Sequence, residues 1–538
     1  MTVLPFVIVA AAAGTASLVV RAHRGWSTLI ALAGLALMIA VASSIDPRAS
    51  IRIGGATLAA SEWLRLYAIL GSIVGLLLVA VDASAIHEPD VPGIVVLGLG
   101  AAVLALALPD PGTAVLAATA GGLAGILVAA PVGAAARAAS VGVRELRAIA
   151  VAGTLAIVAT AWLARPLDDL VAAPEVFGLA YLAFAVAVAI RFGAIPFHLW
   201  AARVADAAPG VALPLLMAWG PAALAAVALA WVDQAVAPLA LPLANERTLI
   251  AAIGAASVVL GIVAALIQDD LEHVVGYTIV ADAGFVVLAL AGLDPGVWEP
   301  SRTWLLVFVV GRSAFAAWVV AIHGGYGTRR LPELAGWARR TPLLAVALAV
   351  GALAAIGWPG LVAWEARATL ARVALPDVIS GLVAVAPVAA AAIYVRILWL
   401  GVQAPGPAVR AGSSERPGWP IRWPHRPMVG LGTTERLFER AAHAFAGLLD
   451  QLWALPAAAR LNRVPLASAA VLALAALAFA VSGGGLGVPQ AAAAVPVIGG
   501  PSDGGATPSS EPDGGQPGAT PGITFQPVGG SASPDEAN

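Results

Sequence analysis

The segment RFGAIPFHLW, from Arg191 to Trp200, places an arginine, a proline and a histidine at the end of a long apolar run. A charge at this depth of a membrane is costly, so Arg191 should face the interior of a helix bundle. Pro196 should break the helix, because it cannot donate to the helical ladder and clashes with the preceding turn. Histidine is a residue type that can gain or lose a proton near neutral pH, whereas arginine keeps its charge. These residue types favour an ion pathway; the alternative is an arginine whose side chain extends to the membrane interface.

A second interruption occurs five apolar runs later, in AAIGWPGLVAWEAR. Gly357, Pro359 and Gly360 lie inside this run, and Glu365 and Arg367 follow directly. Interrupted hydrophobic segments at corresponding positions of two halves indicate a transporter built from inverted repeats. Because five is an odd number, the two five-helix units should have opposite orientations in the membrane.

Two further ionisable residues, Asp282 and Arg312, lie within apolar runs. An unpaired carboxylate in such surroundings tends to stay protonated, so Asp282 should join a polar pathway or an ion pair. The ion-pathway candidates are Arg191, His198, Asp282, Arg312, Glu365 and Arg367, and the helix-break candidates are Pro196, Gly357, Pro359 and Gly360.

The composition places these residues in a polytopic membrane protein. Of 538 residues, 60% are hydrophobic and only 11% are charged, and the mean hydropathy is +0.91. The net charge of −2, with no basic patch outside short loops, argues against nucleic acid as a partner. The absence of cysteine excludes disulfides, iron–sulfur clusters and thiolate metal sites. The scattered histidines lack metal-binding spacing, so we expect no metal, no cofactor and no catalytic residue on this chain.

The apolar runs predict an all-α bundle of about fourteen transmembrane helices, with two inverted five-helix repeats and two broken helices. Pro, Gly and Arg are frequent after residue 403, and an apolar helical face follows at 433–453, which predicts an amphipathic surface helix. The predicted domains are helices one to three at 1–90, the core of helices four to thirteen at 91–402, a cytoplasmic segment with that surface helix at 403–462, a last helix at 463–484 and a disordered tail at 485–538.

The arginines predict the orientation, since all 29 basic residues are arginine. The odd-numbered loops, with the span ends beside them, hold 18 arginines and the even-numbered loops 8. By the positive-inside rule the odd loops are cytoplasmic and both termini face outside. A cleaved signal peptide is the less favoured interpretation of the first run, which has no positive segment before it and is followed by Arg21 and Arg24.

Three stretches of the chain resemble motifs of one family. RFGAIPFHLWAARVADAAPG, QDDLEHVVGYTIVADAGFVVLALAG and LPELAGWARRTPLLAVALAVGALAAIGWPGLVAWEAR are similar to signatures of the proton-translocating membrane subunits of NADH–quinone oxidoreductase (complex I), shared with multisubunit cation/proton antiporters. The third resembles subunit N. The resemblance covers roughly residues 90–400 and implies a fourteen-helix fold with two inverted repeats, no redox chemistry on the chain, other membrane subunits as partners in the cell (inner) membrane, and coupling of electron transfer elsewhere to proton translocation.

The departures from the family pattern concern its charged residues. Arg191 and Arg367 stand where the family has lysines, and Pro221 stands where it has a second central lysine. The acid of the fifth helix falls at Gly122, and the family's histidine falls at Asp282. A buried lysine can release its proton, whereas arginine effectively never does.

Three hypotheses therefore remain for the function. The chain could pump protons by a route through His198, Asp282 and Glu365. It could instead be a pump-inactive structural subunit of the same kind of complex, or a subunit of a multisubunit cation/proton antiporter. Each of them expects other membrane subunits and the lipid bilayer as partners.

Overall fold

The computed structural model describes residues 1–85, 90–129, 136–163, 174–201, 204, 210–237, 241–403 and 463–482, all within one compact unit. The predicted surface helix at 433–453 and the predicted tail lie outside these residues. The described helices are α1 Leu4–Val19, α2 Arg24–Ser43, α3 Glu62–Ala85, α4 Val91–Ala107, α5 Pro111–Ala129, α6 Ala136–Leu163, α7 Pro174–Phe192, α8 Gly220–Trp231, α9 Ala244–Ile267, α10 Leu271–Ala291, α11 Trp298–Tyr326, α12 Trp337–Arg340, α13 Pro342–Ile356, α14 Val362–Ala374, α15 Asp377–Ala389, α16 Ala391–Val402 and α17 Arg463–Ser482.

The described part of the chain thus has the predicted all-α membrane architecture. It contains nine helical spans long and apolar enough to cross a membrane and three shorter apolar helices. A further pair consists of Leu331–Arg340, which ends with α12, and α13, and the two bend by 110° relative to each other. The number fourteen stays a prediction. One small element was missed: strands β1 Ser50–Ile53 and β2 Ala56–Ala59 form an antiparallel hairpin. Its turn is Gly54–Gly55, and both glycines have positive φ, the conformation that a tight hairpin requires.

Helices α10 and α11 form the centre of the bundle. Both are apolar on all sides, which predicts a helix surrounded by protein rather than by lipid. The membrane-spanning window of α11 is 100% buried and that of α10 is 94% buried. Helices α3, α13, α14 and α17 all pack against α11. Gly254 and Gly284 let α9 and α10 approach closely, since a Cβ atom on Gly284 would lie 2.6 Å from the carbonyl oxygen of Gly254.

The two predicted interruptions are present as breaks in the helices. Helix α7 ends at Phe192, Gly193 adopts φ +65°, and only a short 3₁₀ turn, Phe197–Leu199, follows Pro196. Helix α13 ends at Ile356, and α14 begins at Val362. A third interruption separates α15 from α16 within one candidate membrane span, Asp377–Val402. There Pro387 removes the donor that the carbonyl of Val383 would otherwise use.

Candidate functional site

The first of two buried charge clusters centres on Asp282 of α10 and is called the Asp282 cluster; its other members are Arg312, Arg367 and Tyr394. Arg312 is the middle residue of the 29-residue helix α11. Its Nε donates to Oδ2 of Asp282 at 2.6 Å, and both side chains are less than a tenth exposed. Arg312 also donates through Nη1 to the hydroxyl of Tyr394 at 2.9 Å. A buried pair tolerates its desolvation only with such additional hydrogen bonds.

Arg367 joins the two halves of the second broken helix. From α14 it donates to the carbonyl oxygens of Ala355, Ile356 and Gly357, with distances of 3.3 Å to Ala355 and 3.1 Å to Gly357. The last carbonyls of a helix lack intrahelical donors and carry the negative end of its dipole, so a cation fits there. The guanidinium carbon also lies 5.0 Å from the ring centre of Trp304, within range of a cation–π interaction.

Gly357 is required at this junction for two reasons. Its φ of +57° lies in the left-handed region, which residues with a Cβ atom rarely adopt. A Cβ atom at this position would lie 2.5 Å from Nη2 of Arg367. The glycine therefore provides both the turn and the space for the guanidinium.

The Asp282 cluster contains two guanidinium groups and one carboxylate. Arg312 and Arg367 both interact electrostatically with Asp282. With Asp282 ionised, the cluster carries one excess positive charge. A small cavity beside the pair, lined in part by Thr278, Asp282, Arg312 and Tyr394, leaves ≈ 10 Å³ for the centre of a water molecule. That is about the minimum volume for one bound water.

The second cluster centres on Arg191 of α7 and is called the Arg191 cluster. Arg191 is 5% exposed and donates through Nη1 to the carbonyl oxygen of Leu216 at 3.3 Å. Leu216 belongs to a π-helical turn, Leu215–Trp219. In a π turn a carbonyl accepts from the residue five positions later, which here is Pro221 and has no N–H. Arg191 thus supplies the donor that Pro221 lacks.

Glu145 of α6 is the carboxylate that interacts electrostatically with Arg191. It is 4% exposed, and its Oε1 has no hydrogen-bond partner within the described part of the chain. Glu145 was not among the residues predicted from the sequence, where it lies in a charged stretch between Arg144 and Arg147. The signal was present: Ile149, Ala152 and Ala156 are buried on the same helical face as Glu145.

Gly122 of α5 borders the Arg191 guanidinium. A Cβ atom at Gly122 would lie 3.1 Å from Nη2 of Arg191, and one at Gly220 would lie 3.5 Å from it. Position 122, where the resemblance places an acid, thus faces Arg191 directly. The two glycines leave the room that the guanidinium occupies.

Two of the remaining candidates do not join either cluster. Glu365 is exposed, so the expectation that burial places it in an interior pathway is wrong. It precedes Arg367 by two residues, and that spacing turns its side chain to the other side of α14. His198 lies half-buried on the 3₁₀ turn after α7, and its Nδ1 has no hydrogen-bond partner among the described residues.

A third group of charges ties two loops together at the ends of α9, α10 and α11. Asp270 caps α10 by accepting from the backbone N–H of Glu272 at 2.9 Å, and it pairs with Nε of Arg329 at 2.7 Å. Burial raises the pKa of Asp270, but the nearby His273 side chain, the charge of Arg329 and the backbone hydrogen bond from Glu272 together lower it by more, so the net shift is downward. Arg396, within α16, donates to the carbonyl oxygens of Leu266 and Gln268 at the end of α9.

Ionisable residues buried among membrane-spanning helices, with broken helices in the same bundle, are features of membrane proteins that move ions. The family described as "NADH:quinone oxidoreductase/Mrp antiporter, TM" matches residues 149–393. The resemblance inferred from the three motifs is confirmed, and this segment carries the transmembrane domain of that family in a multi-pass membrane protein.

Curated relatives agree with this assignment over part of their length. NADH-quinone oxidoreductase subunit N of Rhodopseudomonas palustris (strain BisA53) is 33% identical over 183 residues, which cover 34% of this chain and 39% of the relative. F(420)H(2) dehydrogenase subunit M of Methanosarcina mazei is 28% identical over 212 residues, 37% of this chain and 41% of the relative. The matched stretches thus span about two fifths of these relatives.

Solved structures extend the similarity of fold to most of the chain. A chain of the membrane-bound sulfane sulfur reductase, an archaeal respiratory membrane complex, superposes with a TM-score of 0.64 at 16% identity and covers 88% of this chain and 99% of its own. A chain of respiratory complex I from Thermus thermophilus gives 0.62 at 18% identity, with 90% and 98% covered. A chain of the Mrp complex from Dietzia sp. gives 0.63 at 18% identity, with 89% and 95% covered.

Proposed function

We propose that this chain is a membrane-arm subunit of a complex I-like NADH–quinone oxidoreductase, and that it couples electron transfer elsewhere in the complex to proton translocation. The observation that carries the proposal is the Asp282–Arg312 pair, at 2.6 Å in the middle of a fully buried helix. Ionisable residues at such depth are expensive and mark ion pathways. The relative from Rhodopseudomonas palustris is by name a subunit of an NADH-quinone oxidoreductase, which favours this assembly over others.

Protons would move through groups that can gain and lose a proton, since Arg312 and Arg367 stay protonated. Asp282, the Tyr394 hydroxyl and the water-sized cavity between them form a short polar path in this cluster. Arg367 is held by the carbonyls at the break between α13 and α14. Movement of that break would shift one positive charge relative to Asp282 and so change the affinity of the carboxylate for a proton.

The test is the Asp282→Asn variant in the assembled complex, reconstituted into vesicles. The ratio of protons translocated to electrons transferred should fall, and because it is a ratio it does not depend on how much complex is recovered. Asp269→Asn is the matched control, since Asp269 pairs with Arg396 at a helix end rather than in the bundle centre. An unchanged ratio in Asp282→Asn would refute the proposal.

The structural-subunit alternative has an observation in its favour. Arg191 and Arg367 donate to backbone carbonyls, contacts that hold helices together whether or not protons move. In that case Asp282→Asn should lower the amount of complex and leave the ratio of protons to electrons unchanged. The antiporter alternative predicts cation/proton exchange without electron transfer, and neighbouring genes for antiporter subunits instead of quinone-reductase subunits.

Lateral partners in the cell membrane belong to the same proposal. Val378, Leu382 and Trp399 on α15 and α16 are large, apolar and more than half exposed, as expected of a face covered by lipid or by another membrane subunit. The proposal divides the chain as the sequence did, with residues 91–402 as the ion-translocating core. Mild-detergent purification should therefore recover polytopic partners, and a monomer that transports ions alone would contradict it.

Both termini are proposed to face outside, on the strength of the arginine asymmetry between the loops. The native chain has no cysteine, so a single cysteine can be labelled without background. Ser509→Cys should react with an impermeant thiol reagent in intact cells. If Ser509→Cys reacted only after the membrane had been opened, the C-terminal tail would face the cytoplasm and the proposed orientation would be wrong.

A further inference from the structure

We propose that Glu145 on α6 is the protonation site of the Arg191 cluster. This buried carboxylate takes the role of the acid that the resemblance places at position 122 on α5, where this chain has glycine. The inference rests on the proposed function and deepens it, because it names the group that takes up the proton in the first five-helix unit.

The carboxylate itself is the first observation. Buried polar atoms in proteins nearly always have a hydrogen-bond partner, and an exception needs an explanation. Glu145 is 4% exposed and its Oε1 has none within the described residues. A neutral, protonated carboxyl group costs less to bury without a partner than a carboxylate does, and a water molecule beside it would satisfy the atom.

The position of Arg191 is the second observation. Its Nη1 is bound to the Leu216 carbonyl, which has no backbone donor of its own because Pro221 follows five residues later. Among the described residues no ion pair within 4.0 Å joins Arg191 to Glu145, although the two charges interact. Glu145 can therefore gain or lose a proton without displacing the arginine, which the backbone holds in place.

The space around Arg191 is the third observation. The Cβ atom of any larger residue at Gly122 would already lie 3.1 Å from Nη2, so a longer side chain there would force the guanidinium to shift. Gly122 leaves room for the guanidinium of Arg191, and the carboxylate of this cluster lies one helix further along the chain, at Glu145. The three residues form one matched set.

The chemistry is a simple proton exchange. The Glu145 carboxylate takes a proton from a hydronium ion, leaving water and a neutral carboxyl group, and later returns the proton to water. Arg191 stays charged throughout. Protonation removes the attraction between the two groups, so the force on Arg191, and through it on the π turn at Leu216, changes with each cycle.

The test compares Glu145→Gln with Asp282→Asn in the assembled complex in vesicles, with protons counted per electron. Both variants should lower the ratio while electron transfer continues. A normal ratio in Glu145→Gln beside a lowered ratio in Asp282→Asn would overturn this inference and leave the proposed function standing. Normal ratios in both would overturn the proposed function, and the inference with it.

Relocation of the acid keeps the test decisive if Glu145→Gln does not assemble. The triple variant Gly122→Glu, Glu145→Gln, Arg191→Lys moves the carboxylate to α5 and makes room for it with the slimmer lysine. Its matched control carries Gly122→Gln in the same background of Glu145→Gln and Arg191→Lys. Assembly and pumping should recover in the Gly122→Glu variant and not in the Gly122→Gln control; equal behaviour of the two would overturn the inference.

Infrared spectroscopy gives a readout that a purely structural role would not move. The carbonyl stretch of a protonated carboxylic acid should appear on turnover in the native complex and persist, shifted, in Glu145→Asp. It should be missing in Glu145→Gln. An unchanged difference spectrum in Glu145→Gln would show that another group takes up the proton.

Discussion

The Asp282 cluster and the Arg191 cluster bury arginines in two different ways. In the Asp282 cluster the guanidinium of Arg312 contacts a carboxylate and a tyrosine hydroxyl directly. In the Arg191 cluster the guanidinium is bound to a backbone carbonyl, and its carboxylate stands apart with an unpartnered oxygen among the described residues. The difference teaches that a fixed charge can be held by the side chains of its own pair or by the backbone of a neighbouring helix. In the second arrangement the carboxylate can change state while the arginine keeps its own hydrogen bond.

Asp282→Asn should have the largest effect on stability. Removing one partner of a buried ion pair costs about 3–5 kcal/mol, because it leaves an uncompensated charge. Glu145→Gln should cost much less, since Arg191 keeps its bond to Leu216. The two variants can be compared by the apparent Tm of the purified complex, measured by tryptophan fluorescence. Equal losses would show that the clusters are built alike.

Gly357→Ala should have the next largest effect. The left-handed backbone costs about 1–2 kcal/mol for a residue with a Cβ atom, and the methyl group also displaces Arg367. Gly360→Ala is the matched control, because Gly360 has φ +92° with nothing near its missing Cβ atom. If Gly357→Ala lowers the Tm more than Gly360→Ala does, the difference measures the contribution of Arg367. Equal losses would contradict the role of Arg367 as the link across the break.

Gly122→Ala should give a smaller effect, of about 1 kcal/mol. A Cβ atom 3.1 Å from Nη2 forces the Arg191 guanidinium to shift by a few tenths of an ångström. Gly98→Ala provides the control, because it gains the same helix propensity while nothing lies within 4 Å of the new methyl group. If Gly122→Ala raised the Tm as much as Gly98→Ala, Arg191 would not be confined by its surroundings.

The smallest expected effect concerns acid. Because the folded state lowers the pKa of Asp270, its stabilisation is fully present above the ordinary pKa of about 4 and is lost as the pH falls through the lowered value. Hydrogen exchange at the start of α10 should therefore speed up only in strong acid. Asp270→Asn should make that exchange fast at neutral pH and nearly independent of acid; an unchanged acid response would exclude Asp270 as its origin.

Much of the fold could be predicted from local chemistry. Apolar runs indicate helices surrounded by lipid or protein rather than by water, so the composition alone predicted a membrane protein. Pro196 and Gly357 act on their own backbone, so both helix breaks followed as well. The break at Pro387 was missed, because one proline in an apolar run is compatible with either a kink or a continuous span.

The sequence by itself determined that Arg191, Asp282 and Arg312 are buried with the apolar helices, since each of them lies within an apolar run. Only the tertiary structure decided their partners. Pairing depends on how each helix is rotated and where its neighbour lies, and a shift of two residues separates the exposed Glu365 from the buried Arg367. For the same reason Glu145, on another helix and in a charged stretch, became the carboxylate of Arg191 only when α6 packed against α7.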